Sequence, residues 1–118
     1  MFNTLLVDDE RLARAELRRL LSPYPQISIQ AEASTAEQAL ELMQQQAFDL
    51  VFLDIQMPGL SGLQLAPQLQ NQSSQKQCHF VFCTAFDQYA LDAFELNALD
   101  YLLKPVSAAE LTAMLQRV

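Results

Sequence analysis

The stretch "DLVFLDIQMPG", residues 49–59, decides how the chain folds. Four consecutive apolar residues, Leu50 to Leu53, leave no polar side for water, so this run is a strand covered on both faces. Strands of that kind belong to parallel sheets sandwiched between helices. The run ends on a carboxylate, Asp54, and then on "MPG", a turn signal. Working outward, short apolar runs alternate with longer amphipathic ones, and strands are predicted at 3–7, 27–31, 50–54, 80–84 and 100–103. Ala13, Leu17, Leu20 and Leu21 keep helical spacing, as do Ala36, Ala39, Leu40 and Met43, and Leu111, Met114, Leu115 and Val118. The fold class is therefore α/β, a five-stranded parallel sheet with helices on both faces.

Two helix starts carry a capping-box pattern, a hydroxyl followed three residues later by a carboxylate: Ser34 with Glu37, and Ser107 with Glu110. The segment "SPYPQ", residues 22–26, stops the first helix because proline lacks a donor and restricts the residue before it. Pro67, inside "GLQLAPQLQ", predicts a kink or a late start of the third helix. The polar run 70–77 reads as a solvated loop.

At 118 residues the chain fits one domain with its own core. Seven Lys and Arg against 14 Asp and Glu, a net charge of -7, argue against nucleic-acid binding by this segment, since phosphate contact needs a basic face. No apolar run is long enough for a membrane span, and no signal peptide is apparent, so the expected location is the cytoplasm. Cys78 and Cys83 flank an extended run that separates their backbones by roughly 16 Å, too far for a disulfide. With His79 the single histidine, a zinc site lacks ligands.

The informative polar residues fall at strand ends. Asp8 and Asp9 follow the first strand, Asp54 ends the third, Thr84 the fourth, and Lys104 follows the fifth. In a doubly wound sheet, ligands bind outside the carboxyl ends of the strands, where strand order reverses. Asp54 alone could equally cap a loop, Lys104 alone could be a surface lysine, and Thr84 alone could finish a strand. Together, three carboxylates call for a hard divalent cation, and Mg²⁺ suits one or two carboxylates plus phosphate oxygens. Asp54 is then a nucleophile for phosphoryl transfer, Lys104 a cation for the transferred group, and Thr84 a hydroxyl donor to it.

The motifs "LLVDDE", "FLDIQMPG", "TAF" and "DYLLKP", in that order over essentially all of the chain, resemble the receiver domains of bacterial two-component response regulators. The wording "TAFDQYALDAFELNALDYLLKP" resembles the LytTR class, whose receivers control a C-terminal DNA-binding domain. The resemblance implies a flavodoxin-like sheet of strand order 2-1-3-4-5. It implies that Asp54 is the phosphoacceptor for a histidine kinase. Asp9 would bind Mg²⁺ directly, Asp8 largely through water, and the backbone carbonyl of Gln56 would complete the protein ligands. Thr84 and Tyr101 would be the switch pair, Lys104 would contact the phosphoryl oxygens, and the Lys104–Pro105 bond would be cis. Gln56 and Phe86 would flank the path of hydrolytic water.

Further expectations follow from the same resemblance. A homodimer would form through the face of the fourth helix, fifth strand and fifth helix, residues 88–118. Such a domain is a signalling module, active only in its own phosphorylation and dephosphorylation. Residues 1–118 would be the receiver, with DNA contacted only by an output domain beyond Val118; the last helix is still in register there. Glu10 matches no ligand position and would begin the first helix. The rival readings are a phosphohydrolase, disfavoured by Gln56 where a second acid is usual; a flavin-binding domain, disfavoured by "DDE" in place of a phosphate loop; and a pseudo-receiver or a stand-alone receiver without DNA-binding output.

Overall fold

Leu50, Val51, Phe52 and Leu53 are each no more than 1% exposed, and alternate residues of the run enter different cores. Val51 and Leu53 pack with Leu5, Val7, Phe80 and Phe82 on one side of the sheet. Leu50 and Phe52 pack with Leu6, Val81 and Leu102 on the other. This is what a continuous apolar strand produces when both faces are covered. The structure, a computed structural model, describes residues 1–72 and 78–118. Its elements are β1 (Phe2–Val7), α1 (Arg11–Leu21), β2 (Ile27–Ala33), α2 (Ala36–Gln45), β3 (Leu50–Leu53), α3 (Gly62–Gln72), β4 (His79–Thr84), α4 (Ala90–Glu95), β5 (Asp100–Leu103) and α5 (Ala108–Leu115). The five strands pair in parallel in the order β2-β1-β3-β4-β5, the order that the family resemblance implies.

Helices α2, α3 and α4 close one core with Ala39, Met43, Leu65, Leu69 and Ala93. Leu21 of α1 and Leu111 and Met114 of α5 close the other. Each fully buried Leu or Phe contributes about 1.5–3 kcal/mol relative to exposure, so the two cores outweigh any single surface contact. Strand order reverses at β1 and β3, which puts the crevice beyond Val7 and Leu53.

Several boundaries differ from the sequence expectation, each for a local reason. β2 runs to Ala33 rather than stopping at Ala31, because a register shift between Thr4 and Leu5 of its partner interrupts the alternation. Within the added residues, the polar Glu32 is paired with two arginines. The cap of α2 slides by one: Thr35 is the N-cap and its hydroxyl accepts from Gln38 N–H at 3.1 Å. Ser34 donates through both its N–H and its hydroxyl to the Gln38 amide oxygen. The Ser107–Glu110 capping box is present in full.

α3 starts at Gly62 and carries Pro67 within it. That start is set by a reciprocal pair in which Ser61 N–H donates to the Gln64 side chain and Gln64 N–H to the Ser61 hydroxyl. Pro67 removes one intrahelical bond, which the buried Leu65, Ala66 and Leu69 around it offset. The first part of the polar run 70–77 continues α3 to Gln72, and residues 73–77 lie outside the described residues. Cys78 and Cys83 are both free, and burial pushes the Cys78 thiol up to about 12. Among the described residues no helix is long and apolar enough to cross a membrane.

Candidate functional site

β1 and β3 deliver their carboxylates side by side because the sheet hydrogen bonding continues past each strand. Asp8 N–H donates to Ala33 O at 3.1 Å and Asp54 N–H to Val7 O at 3.0 Å. Both residues are buried, Asp54 to 5% exposure and Asp8 to 8%. β5 brings in the counter-ion: Lys104 N–H donates to Thr84 O at 2.8 Å, which extends the β4–β5 pairing by one residue. From there Lys104 Nζ reaches Asp8 Oδ2 at 2.8 Å and Asp54 Oδ2 at 3.3 Å. One ammonium is thus shared by two buried carboxylates that lie 96 and 50 residues away in sequence.

The remaining oxygens are also engaged. Asp8 Oδ1 accepts from Glu10 N–H at 2.9 Å, and Asp54 Oδ1 from Gln56 N–H at 3.3 Å. Burial raises the Asp54 carboxyl above its ordinary value; Lys104 pulls it down, and the neighbouring Asp8 charge pushes it up again. For Lys104 burial opposes the charge, but the Asp8 and Asp54 carboxylates outweigh it and hold the ammonium above its usual range. The site is an electrostatically tense one in which each carboxylate depends on a cation.

Asp9 is exposed beside this pair, and carboxylate oxygens of Asp8, Asp9 and Glu10 lie within 4.8 Å of one another. Their donor set, all anionic oxygen, fits a hard cation. Glu10 sits one residue ahead of α1, not within its first turn, and its side chain makes no capping bond. The reason is local: an extended backbone at Glu10 is needed to deliver its N–H to Asp8.

Thr84 is fully buried and its hydroxyl accepts from Phe86 N–H at 3.3 Å. The Tyr101 hydroxyl donates to Phe86 O, so it is bonded to the loop after β4. The Lys104–Pro105 peptide is cis. Asp8, Asp54, Lys104 and Thr84 therefore converge at the carboxyl edge of the sheet, with Asp9 at its rim and Tyr101 one contact further out.

Three positions were not singled out by sequence reasoning. Gly62 presses against Asp54: a Cβ there would stand 2.1 Å from Asp54 O, so any side chain would push α3 off the end of β3. Tyr89 accepts from the Gln56 amide at 2.9 Å and meets Phe86 edge-on, with ring centres 6.4 Å apart. Arg14 donates to Asp8 O at 2.7 Å. Among these, a glycine close behind a strand-end aspartate was the signal open to a sequence reader. The contact of Tyr89 depends on two loops that meet only in space, and that of Arg14 on the turn from β1 into α1.

The chain is similar to known proteins along its whole length. The sensory transduction protein LytT of Enterococcus faecalis is 45% identical over 115 residues, which cover 98% of this chain and 47% of that protein. The transcriptional regulatory protein BtsR of Escherichia coli is 43% identical over 118 residues, covering 100% of this chain and 48% of that protein. The chain thus spans about half the length of the curated relatives it matches. The crystal structure of the response regulatory domain of protein mrkE from Klebsiella pneumoniae superimposes with a TM-score of 0.87 at 35% identity, over 98% of this chain and 93% of that one. Residues 4–116 match the response regulator receiver domain model, and with Asp8, Asp54, Thr84 and Lys104 gathered at the carboxyl edge of a 2-1-3-4-5 sheet, the chain belongs to the receiver-domain family of two-component response regulators.

Proposed function

We propose that this receiver accepts a phosphoryl group on Asp54 from the phosphohistidine of a histidine kinase and relays it as a change of surface. The observation that carries this reading is the single ammonium of Lys104 bonded to both Asp8 and Asp54. A carboxylate oxygen of Asp54 attacks phosphorus, the bond from phosphorus to the kinase imidazole breaks, and the freed histidine keeps the electron pair. Lys104 then follows the negative charge from the carboxylate to the phosphoryl oxygens, a short move because it already touches Asp54. Asp9 and Asp54, with the Gln56 carbonyl, would hold Mg²⁺ directly, and Asp8 would hold it largely through water. When bound, Mg²⁺ supplies the charge neutralisation that brings phosphoryl oxygens to an acidic pocket.

Phosphorylation adds about -1.5 to -2 charge and three acceptor oxygens. The Thr84 hydroxyl, a 3.3 Å acceptor for Phe86 N–H, turns to donate to one of them. That leaves the Phe86 loop and the Tyr101 hydroxyl bonded to it free to settle anew. The readout is the α4-β5-α5 face, which already exposes Leu91 to 69%, Phe94 to 78% and Leu103 to 41%. An apolar patch of this kind suits a second copy of the chain, so phosphorylation controls dimerisation. The similarity to LytT and BtsR supports a receiver of the LytTR class that governs a DNA-binding output domain, located in the cytoplasm.

Intact-mass measurement with Mg²⁺ and acetyl phosphate tests the chemistry. The wild-type chain gains one phosphoryl group and the Asp54→Asn variant gains none. A wild type that stays unmodified, and that also ignores beryllofluoride, would leave an interaction module in place of a phosphoacceptor. Phe86, 41% exposed and bonded through its N–H to the Thr84 hydroxyl, bears on the lifetime of the product. Its ring hinders approach of water, so Phe86→Ala is expected to lose the phosphoryl group several-fold faster. An unchanged decay rate in a pulse-chase experiment removes that role.

A further inference from the structure

The metal-facing loop is held from behind by a charged network that the phosphoryl chemistry does not use. Arg14, on the first turn of α1, donates Nη1 to Asp8 O at 2.7 Å and Nε to Glu32 Oε1 at 2.9 Å. Glu32, on β2, takes a second guanidinium through its other oxygen, with Arg18 Nε at 2.9 Å and Nη2 at 2.6 Å. The side chain of Arg14 is 15% exposed and that of Arg18 50%, so Arg14 is the inner member of the pair. β2 grips the same loop a second time through its next residue, since Asp8 N–H donates to Ala33 O.

The carbonyl that Arg14 holds belongs to the peptide unit joining Asp8 to Asp9. Fixing that plane fixes the directions in which the two carboxylates leave the backbone. The far side of Asp8 is held as well, by Glu10 N–H on Oδ1 and Lys104 on Oδ2. A fork is required for this geometry: Nε and Nη1 of one planar group reach two acceptors at once, which a lysine ammonium on a flexible stem does poorly.

A permanent cation behind a cation site is unfavourable on charge alone, and the placement of Glu32 between the two arginines offsets it. We infer that Arg14, braced by Glu32, is a positioning residue that orients the Asp8–Asp9 peptide for Mg²⁺. This rests on the proposed metal role of Asp8 and Asp9. Charge and positioning predict opposite signs. Removing a nearby positive charge strengthens Mg²⁺ binding by Coulomb's law; losing the brace weakens it.

Isothermal titration calorimetry with MgCl₂ on the wild type, Arg14→Met, Arg14→Lys and Arg18→Met separates these. Arg14→Met and Arg14→Lys are expected to bind Mg²⁺ about tenfold more weakly, the low end of the effect of outer contacts on metal sites, with Lys losing less than Met. Arg18→Met, which breaks a bond to Glu32 but none to Asp8, is expected to bind as the wild type does. Thermal melts in EDTA establish that each variant is folded, and if Arg14→Met is not, the charge-conserving Arg14→Lys decides. Wild-type affinity in Arg14→Lys, or tighter binding in Arg14→Met, overturns the inference. So does an equal loss in Arg18→Met. A wild type that binds no Mg²⁺ sinks the metal reading itself, an outcome distinct from wild-type binding that the Arg14 variants share.

Discussion

Lys104→Met is expected to unfold well below the wild type in EDTA, and Mg²⁺ is expected to restore most of the loss. The methionine keeps the stem and removes the ammonium, leaving Asp8 and Asp54 facing each other at 8% and 5% exposure. Removing one partner of a buried ion pair typically costs 3–5 kcal/mol; because the Lys104 side chain is 27% exposed, about 2–3 kcal/mol is the scale here. The pH dependence has a defined sign. Lys104 has a folded pKa above its unfolded one, so its contribution is complete below the unfolded value and is lost only as pH rises through the folded value.

Asp54 acts in the opposite sense to a paired surface carboxylate. Its folded pKa is raised above 3.8, with burial the main cause, so the native state binds the proton more tightly and this group's contribution falls as pH rises through that window. Removing Lys104 takes away the charge that pulls Asp54 down and moves the window further up. The deficit of Lys104→Met should therefore narrow as the pH is lowered and Asp54 protonates. Melting temperatures in EDTA across mildly acidic to neutral pH provide the check. A variant as stable as the wild type throughout would mean that the ammonium does not compensate the two carboxylates.

Asp9→Ala is expected to weaken Mg²⁺ binding by at least about a hundredfold, the upper end of what outer contacts alone contribute, and to stop phosphoryl transfer from acetyl phosphate. Glu10→Ala should do neither. The contrast is demanding because carboxylate oxygens of both residues lie within 4.8 Å of one another and of Asp8. What separates them is the backbone: Glu10 contributes its N–H to Asp8 and precedes α1 directly, and that bond survives removal of its side chain. Calorimetric titration of the two variants distinguishes the roles. Equal losses would make Glu10 a ligand and reassign the acidic loop.

Much of the fold was legible before any coordinates. The two-sided strand at 50–53, the helical spacing of Leu111 and Met114, and the Ser107–Glu110 cap all rest on contacts within a few residues. The boundaries that differ have two kinds of cause. Ser34 and Thr35 are both competent caps, and only the position of Gln38 chose Thr35. Glu32 lies past the predicted strand end at residue 31, and its partners, Arg14 and Arg18, come from a helix 18 and 14 residues earlier.

The site divides along the same line. That Asp8, Asp9, Asp54, Thr84 and Lys104 would lie at one edge of the molecule followed from the chain alone, since each closes a strand and parallel strands end on the same side. Which of them touch did not follow. The sharing of Lys104 between Asp8 and Asp54 depends on register and strand order across separations of 96 and 50 residues, the pressure on the Asp54 backbone on a Gly62 whose Cβ would stand 2.1 Å from Asp54 O, and the grip of Arg14 on Asp8 on the turn from β1 into α1. Side-chain type and periodicity are properties of neighbours along the chain; hydrogen bonds and shared charges are properties of atoms about 3 Å apart, and folding sets those distances.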